Sequence, residues 1–146
     1  HVPPPPSTLQ ALASTKGLNT EERVRENLLI AFSPGFVENN REEVEKVIKL
    51  RGQNFVPEYA YLHQLQAAML FNTEERVSEI VAPTLILTGD ADIIVPMENS
   101  GNLAARIPHA RLVIIKGGSH TFFIEQPLEF NRAVVEFVKE TEKESN

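Results

Sequence analysis

The residues of this chain best suited to chemistry are two aspartates and a histidine that each follow a short apolar run. Asp90 and Asp92 come directly after the run at 84–88, and His120 follows the run at 111–115. In open α/β sheets, functional groups collect at the carboxyl ends of parallel strands. Neighbouring strands lie about 4.8 Å apart, so groups at two such ends can meet. We therefore expect Asp92 and His120 to come within hydrogen-bond distance.

An aspartate beside a histidine has a specific chemical use. A carboxylate that accepts from one ring nitrogen fixes the tautomer, and the other nitrogen is left to act as a base. A single loop aspartate is usually a turn former, and a lone histidine is usually structural. The shared placement of Asp92 and His120 at consecutive strand ends is what favours a catalytic acid and base.

A metal site is the alternative use of these residues. Asp90, Asp92 and His120 could form a metal site, but no further carboxylate lies close in sequence and the EF-hand pattern fails. No metal or cofactor is therefore expected. Asp90 is expected to cap or solvate its turn, Ser119 to satisfy the turn before His120, and Glu125 to belong to the start of the last helix.

The remaining histidines have ordinary interpretations. His63 lies within a helical pattern and is expected on a surface or in packing, with a lesser chance of lining a substrate cavity. His109 precedes a strand and His1 is terminal. None of the three is expected to carry the chemistry.

The elements that position these groups are predicted by hydrophobic pattern. The runs at 84–88 and 111–115 are typical of parallel strands covered on both faces. Residues 96–107 between them favour a helix, and Pro127 begins an amphipathic helix whose charged tail, from Lys139, is expected to fray. The chain is thus predicted to end β-α-β-α.

The preceding region, residues 19–71, is predicted to form three helices. Asn19 and Asn40 each stand three residues before a Glu, which is capping-box spacing, and Pro57 suits a first helical turn. The hexapeptide Asn-Thr-Glu-Glu-Arg-Val occurs at 19–24 and again at 72–77. Its surroundings do not match, so both copies are interpreted as helix openings and not as a repeat.

Composition limits the functional classes. The 146 residues, 42% hydrophobic and 23% charged, predict one globular domain or a piece of a larger one. A net charge of −6 without a Lys/Arg block argues against nucleic-acid partners. The absence of cysteine excludes disulfides and thiolate chemistry. With no apolar run near the roughly 18 residues of a membrane span and no signal-peptide pattern, a soluble cytoplasmic protein without a membrane partner is expected.

Three stretches, residues 81–96, 110–120 and 123–138, resemble the C-terminal portion of an α/β-hydrolase. In that family the acid is the fourth residue of a Gly-x-x-Asp turn before a Val-Pro, which corresponds to Asp92. The base follows a Gly-x-Gly-His-like turn, which corresponds to His120, although this chain has Gly-Gly-Ser-His.

The resemblance implies an α/β fold class and three regions. These are a Pro-rich arm over 1–18, with extended geometry at its prolines, a helical cap over 19–78, and a β-α-β-α part of the hydrolase core over 79–146. No serine of the chain lies in Gly-x-Ser-x-Gly. The family supplies nucleophile and oxyanion donors from its N-terminal half, so we expect this chain to be the C-terminal half of a larger hydrolase and nearly inert alone.

The resemblance also implies an activity. The nearest members are cofactor-independent enol-lactonases and esterases, which implies hydrolysis of a small ester or lactone by Ser-His-Asp acyl transfer. Haloalkane dehalogenases and epoxide hydrolases, with an aspartate nucleophile, are the alternative. Phe122 and Phe123 would pack in the core or wall the acyl pocket, and Tyr59 and Met69 would pack within the cap or roof that pocket from it.

The expected partners follow from the predicted sheet. Two parallel strands leave an apolar edge unpaired, which invites association. We expect this edge to pair with the missing N-terminal half or with a second copy of the chain, beside a small-molecule substrate. A non-catalytic binding or scaffold module is the alternative from another functional class.

Overall fold

The computed structural model describes residues 1–14, 17–54 and 56–144, which form two compact units. The helical unit comprises Pro4–Asn72, and the α/β unit comprises Thr73–Asn146 together with His1–Pro3. The first residues belong to the α/β unit because the side chain of Asn99 pairs with the backbone of Val2. Asn99 Oδ1 accepts from Val2 N, and Asn99 Nδ2 donates to Val2 O, both at 2.7 Å.

The described part of the helical unit contains five α-helices, which are α1 (Pro6–Ala13), α2 (Thr20–Ala31), α3 (Pro34–Asn39), α4 (Arg41–Gly52) and α5 (Glu58–Leu70). The predicted capping box opens α2. Asn19 Oδ1 accepts from Glu22 N at 3.0 Å, and the Glu22 carboxylate accepts from Asn19 N at 2.9 Å. The predicted helices that start near Asn19, Asn40 and Pro57 are therefore confirmed as α2, α4 and α5.

Two short helices depart from the sequence prediction. The Pro-rich start was expected to stay extended, but α1 begins at Pro6, because proline fits a first helical position whose N–H has no intrahelical partner. The segment after Phe32 was expected only to end α2. Instead Ser33 Oγ accepts from Phe36 N at 3.3 Å and opens α3.

The capping role predicted for Asn40 is wrong. Its side chain makes no cap bond to α4, and Asn40 Nδ2 donates instead to the carbonyl of Phe36 at 3.1 Å. The same carbonyl also accepts from Asn40 N at 2.9 Å. Asn40 thus closes the C-terminus of α3, because that end presents carbonyls without intrahelical donors.

The core of the helical unit lies between α2 and α4, and its buried apolar residues are Leu28, Ala31, Phe32, Val44 and Ile48. One charged residue is also buried. Arg23 is 4% exposed, donates to the carbonyl of Val56, and lies 5.5 Å from the centre of the Tyr61 ring. A carbonyl and an aromatic face therefore replace water around this guanidinium.

The α/β unit is built on two parallel strands, β1 (Leu85–Gly89) and β2 (Arg111–Ile115), which pair in register from Leu85 opposite Arg111 to Gly89 opposite Ile115. A 3-10 turn at Val77–Glu79 precedes β1. The helix α6 (Met97–Ala104) connects the strands, and α7 (Phe122–Glu125) and α8 (Pro127–Glu144) follow β2. The predicted β-α-β-α order is confirmed, with α7 as an addition. Both strands end at one level, so the turns that follow them are neighbours.

The core of this unit joins the sheet to the segment before it. Val77, Ile86 and Ile107 form the buried cluster, and the partly buried residues packed against it are Ala104, Ala110 and Leu112. Val77 ends the second copy of the hexapeptide, which forms a turn and a 3-10 helix where an α-helix opening was expected. A Glu74–Arg106 ion pair of 2.5 Å adds to this packing.

Two features of β2 and α8 differ from expectation. The strand β2 is not covered on both faces, since Ile114 is 48% exposed. The helix α8 does not fray at Lys139 but continues to Glu144, and Arg111 binds Glu140 at 2.5 Å. Across the described ranges of the chain, no helix combines the length and the apolar character needed to cross a bilayer.

Candidate active site

The turns after β1 and β2 are held together by two glycines. A Cβ at Gly89 would stand 2.0 Å from the carbonyl oxygen of Gly118, and a Cβ at Gly118 would stand 3.1 Å from Gly89 Cα. No side chain fits at either position without moving the backbone. Ala91 N–H also donates to the Gly118 carbonyl at 2.9 Å. The close approach places the residues after both strands within side-chain reach of each other.

Asp90 stabilises the second of these turns. Its Oδ1 accepts from the backbone N–H of Gly117 at 2.6 Å. Gly117 has φ +69°, a left-handed conformation that glycine adopts without steric cost. Asp90 therefore has a turn-capping role, as predicted, but the turn is the one that leads to His120.

Asp92 and His120 are brought together as predicted. His120 Nδ1 lies 2.9 Å from Asp92 Oδ2. The other carboxylate oxygen, Asp92 Oδ1, accepts from Ile94 N at 2.8 Å and from Val95 N at 2.9 Å. An ionised carboxylate can only accept, so in the neutral imidazole Nδ1 carries the ring proton and Nε2 keeps its lone pair.

The two members of the pair differ in exposure and charge. The Asp92 side chain is 7% exposed and the His120 side chain is 41% exposed. Burial raises the pKa of the Asp92 carboxyl, but the hydrogen bonds from His120, Val95 and Ile94, with the charge of His120, lower it more. The pKa of Asp92 therefore lies below its ordinary value, and the carboxylate is ionised at neutral pH. An ionised partner of this kind stabilises an imidazolium when His120 takes a proton.

A second carboxylate contacts the residues on both sides of His120. Ser119 Oγ donates to Glu125 Oε1 at 2.6 Å, and the Thr121 hydroxyl lies 3.4 Å from the same oxygen. The sequence prediction assigned Ser119 to the turn and Glu125 to the start of the last helix, and did not connect them. The one available signal was that two hydroxyls flank the candidate base and precede a carboxylate by six and four residues.

The residues predicted to bind substrate fall in two places. Phe122 and Phe123 form a ring cluster with Phe130, with centroids 6.0 to 6.2 Å apart, and Phe123 is 41% exposed. Tyr59 and Met69 lie on α5 of the helical unit and are 66% and 56% exposed. Substrate binding by these four side chains stays a prediction.

The metal alternative is not assembled in the described part of the chain. Asp90 contacts Gly117, whereas Asp92 contacts His120 and two backbone N–H groups. Among those residues no three His, Asp or Glu side chains are grouped so that they could hold an ion. The carboxylate that contacts the His120 ring in this part of the chain is that of Asp92.

The chain is similar to known hydrolases in sequence. It matches the family described as serine aminopeptidase, S33, over residues 12–127. A curated relative is RutD of Caulobacter sp. (strain K31), a proposed carbamate hydrolase, which is 34% identical over 100 residues. That match covers 68% of this chain and 37% of RutD.

The fold of this chain is also similar to those of solved hydrolase structures. The enol-lactonase of Burkholderia xenovorans LB400 superposes with a TM-score of 0.74 at 21% identity, over 92% of this chain and 49% of that one. The meta-cleavage product hydrolase of Pseudomonas fluorescens IP01 gives a TM-score of 0.67 at 26% identity, over 92% and 50%.

These comparisons confirm the predicted fold class and the predicted resemblance. This chain spans about half the length of the two solved proteins and about a third of the curated relative. The family match extends over most of the chain, including both strands and the loop that carries His120. The chain therefore belongs to the serine aminopeptidase (S33) family of α/β-hydrolases.

Proposed function

We propose that this chain supplies the acid and the base of a hydrolase that cleaves a small ester or lactone by acyl transfer. The observation that carries the proposal is the 2.9 Å pair between a buried Asp92 carboxylate and a half-exposed His120 imidazole. The family membership of the chain and its hydrolase relatives support a hydrolytic reaction. The buried acid orients the half-exposed ring, whose Nε2 is left to act on a reacting group.

The chemistry follows from the assigned protonation states. His120 Nε2 takes the proton of a serine hydroxyl while the serine oxygen attacks the substrate carbonyl carbon. The tetrahedral oxyanion collapses, the bond to the leaving oxygen breaks, and His120 gives that oxygen the proton. Water then repeats the sequence on the acyl-enzyme and releases the carboxylic acid. Asp92 keeps its charge throughout and stabilises the imidazolium.

The attacking serine is proposed to come from another segment of the complete hydrolase. Ser119 is adjacent to the base, but the residue is only 4% exposed and its hydroxyl donates to Glu125. No serine of the chain occupies a Gly-x-Ser-x-Gly turn. The β1–β2 ladder is the described sheet, and so small a sheet is rarely stable alone. We propose that the outer edge of β1 pairs with a strand of the nucleophile-bearing segment.

Carbamate cleavage is a second candidate. The curated relatives at 34 to 35% identity are named as proposed carbamate hydrolases. The same pair would serve this reaction, because a carbamate carbonyl is attacked in the same way and the released amine takes the proton from His120. Parallel assays of a short-chain ester, a lactone and a simple carbamate distinguish the two substrate classes.

The test uses the complete hydrolase and an activated short-chain ester such as p-nitrophenyl acetate. His120→Asn should lower kcat by several orders of magnitude, since removing the base of a comparable triad costs on the order of a million-fold. His109→Asn is the matched control, because His109 is exposed in the same unit and Asn tolerates its φ of 58°. Equal activity of the His120→Asn and parent enzymes would remove His120 from the mechanism.

A further inference from the structure

We propose that Glu125 is a positioning residue for the base: its carboxylate ties down the residues on both sides of His120. The inference rests on the proposed role of His120 and assigns a function to a carboxylate that the acyl-transfer steps do not use. Glu125 would act on His120 through the hydroxyls of Ser119 and Thr121.

The contacts form a small buried network. Ser119 and Thr121 are 4% and 3% exposed, and Glu125 Oε1 lies 2.6 Å from the Ser119 hydroxyl and 3.4 Å from the Thr121 hydroxyl. Ser119 Oγ also accepts from the backbone N–H of Thr121 at 3.1 Å. The two neighbours of His120 are thus linked to each other and to one carboxylate oxygen.

The loop that carries His120 depends on such links to keep a single conformation. Gly117 and Gly118 lead into it, and glycine has more backbone freedom to lose than any other residue. The C-terminal end of the loop is bound to its start, since Gln126 Nε2 donates to the carbonyl of Lys116 at 3.3 Å. Between these points, the Glu125 network holds the backbone from which the imidazole extends.

A carboxylate suits this task better than a neutral group. It accepts at each oxygen and makes charge-assisted hydrogen bonds, which are roughly twice as strong as neutral ones. An amide in its place could still accept from both hydroxyls at its one oxygen, but only through the weaker neutral hydrogen bonds.

Two constraints would then fix the position of Nε2. Asp92 holds the ring at Nδ1, and Glu125 holds the backbone that bears the ring. A misplacement of about 1 Å at a reacting atom can cost on the order of a hundred-fold in rate. Weakening the backbone constraint should therefore lower kcat and leave substrate affinity unchanged.

The first experiment compares Glu125→Gln with the parent, as complete hydrolases acting on p-nitrophenyl acetate. We expect kcat to fall by roughly ten- to a hundred-fold while KM changes less than about threefold. Glu129→Gln is the matched control, because Glu129 lies on the exposed side of α8 and pairs with Arg132 at the surface. A parent-like kcat for a folded Glu125→Gln enzyme would overturn the proposal.

The second experiment asks whether Glu125 acts through the two hydroxyls. Ser119→Ala/Thr121→Val should reproduce the loss in kcat with KM held, and adding Glu125→Gln to it should cost less than about twofold more. An equal further loss in that background would overturn the proposal, since Glu125 would then act by another route. The hydroxyl variants also serve as the test if Glu125→Gln fails to fold.

The His120→Asn variant distinguishes a failure of the positioning role of Glu125 from a failure of the proposed function. An inactive His120→Asn enzyme beside a fully active Glu125→Gln enzyme would refute only the positioning role. An active His120→Asn enzyme would refute the proposed function itself.

Discussion

Gly89 and Gly118 approach so closely that a methyl group on Gly89 would stand 2.0 Å from the carbonyl oxygen of Gly118. The contact joins the last residue of β1 to the turn after β2, shortly before Asp92 on one side and His120 on the other. Because of this contact, the Asp92 and His120 side chains that follow the two aligned strands meet each other. The candidate site thus depends on two residues that have no side chain.

Gly89→Ala is predicted to destabilise the fold. The added methyl must displace the backbone of the neighbouring turn, and overpacking of this kind costs about 1–3 kcal/mol or more. Gly101→Ala is the control, since Gly101 lies in α6 with open space around it. This change should raise the free energy of unfolding by about 0.5–1 kcal/mol. Denaturant unfolding of both variants measures the difference, and equal stabilities would contradict the packing argument.

The two aspartates are predicted to differ sharply in their effect on turnover. Asp92→Asn should lower kcat by about ten-thousand-fold, because an amide favours the wrong tautomer of its histidine. Asp90→Ala removes the acceptor for Gly117 N–H and should lower the free energy of unfolding by about 1 kcal/mol. It should lower kcat by at most about tenfold. Steady-state kinetics on the activated ester measures both. The assignment of the acid is wrong if Asp90→Ala is the more damaging change.

The lowered pKa of Asp92 predicts how stability depends on pH. Unfolding returns the carboxyl to its ordinary pKa of about 3.9, above its value in the fold. The unfolded state therefore binds the proton first, so the stabilisation is present above about pH 4 and is lost as the pH falls through the folded pKa. Urea unfolding of the parent and of Asp92→Asn should give a difference that shrinks below pH 4. A difference constant from pH 6 to pH 2 would contradict this origin.

Phe122 and Phe123 are predicted to have separable roles. The half-exposed Phe123 should contact substrate, so Phe123→Ala should raise KM for an aryl ester by about tenfold, as expected for losing roughly 1.4 kcal/mol of apolar contact. Phe122 packs behind the turn, 2.9 Å from a Cβ built at Gly118, and Phe122→Ala should chiefly lower stability. Kinetics and thermal unfolding of both variants measure the split, and a KM unchanged in Phe123→Ala would remove it from the pocket wall.

The strand ends were predictable because their signals are local. The apolar runs of β1 and β2 are short and bounded by glycine, and the rule that parallel strands present functional groups at one edge placed Asp92 beside His120. The distance between the two side chains then followed from strand spacing. Their catalytic role stays a proposal.

The parts that were not predictable depend on tertiary contacts. The second copy of the hexapeptide that opens α2 forms a turn followed by a 3-10 helix, where Val77 packs in the buried cluster with Ile86 and Ile107. The link between Ser119 and Glu125 could not be inferred either. It needs the left-handed turn at Gly117 and the short helix α7, neither of which has a periodic sequence pattern.

A double-mutant cycle on Asp92 and His120 in the complete hydrolase, measured as kcat on p-nitrophenyl acetate, shows whether the two side chains act as one unit. Groups that act as one unit give strongly non-additive losses. Asp92→Asn/His120→Asn is expected to lose no more kcat than His120→Asn alone, because Asp92 acts only through the imidazole. Losses that multiply in the double variant would show two independent groups and contradict it.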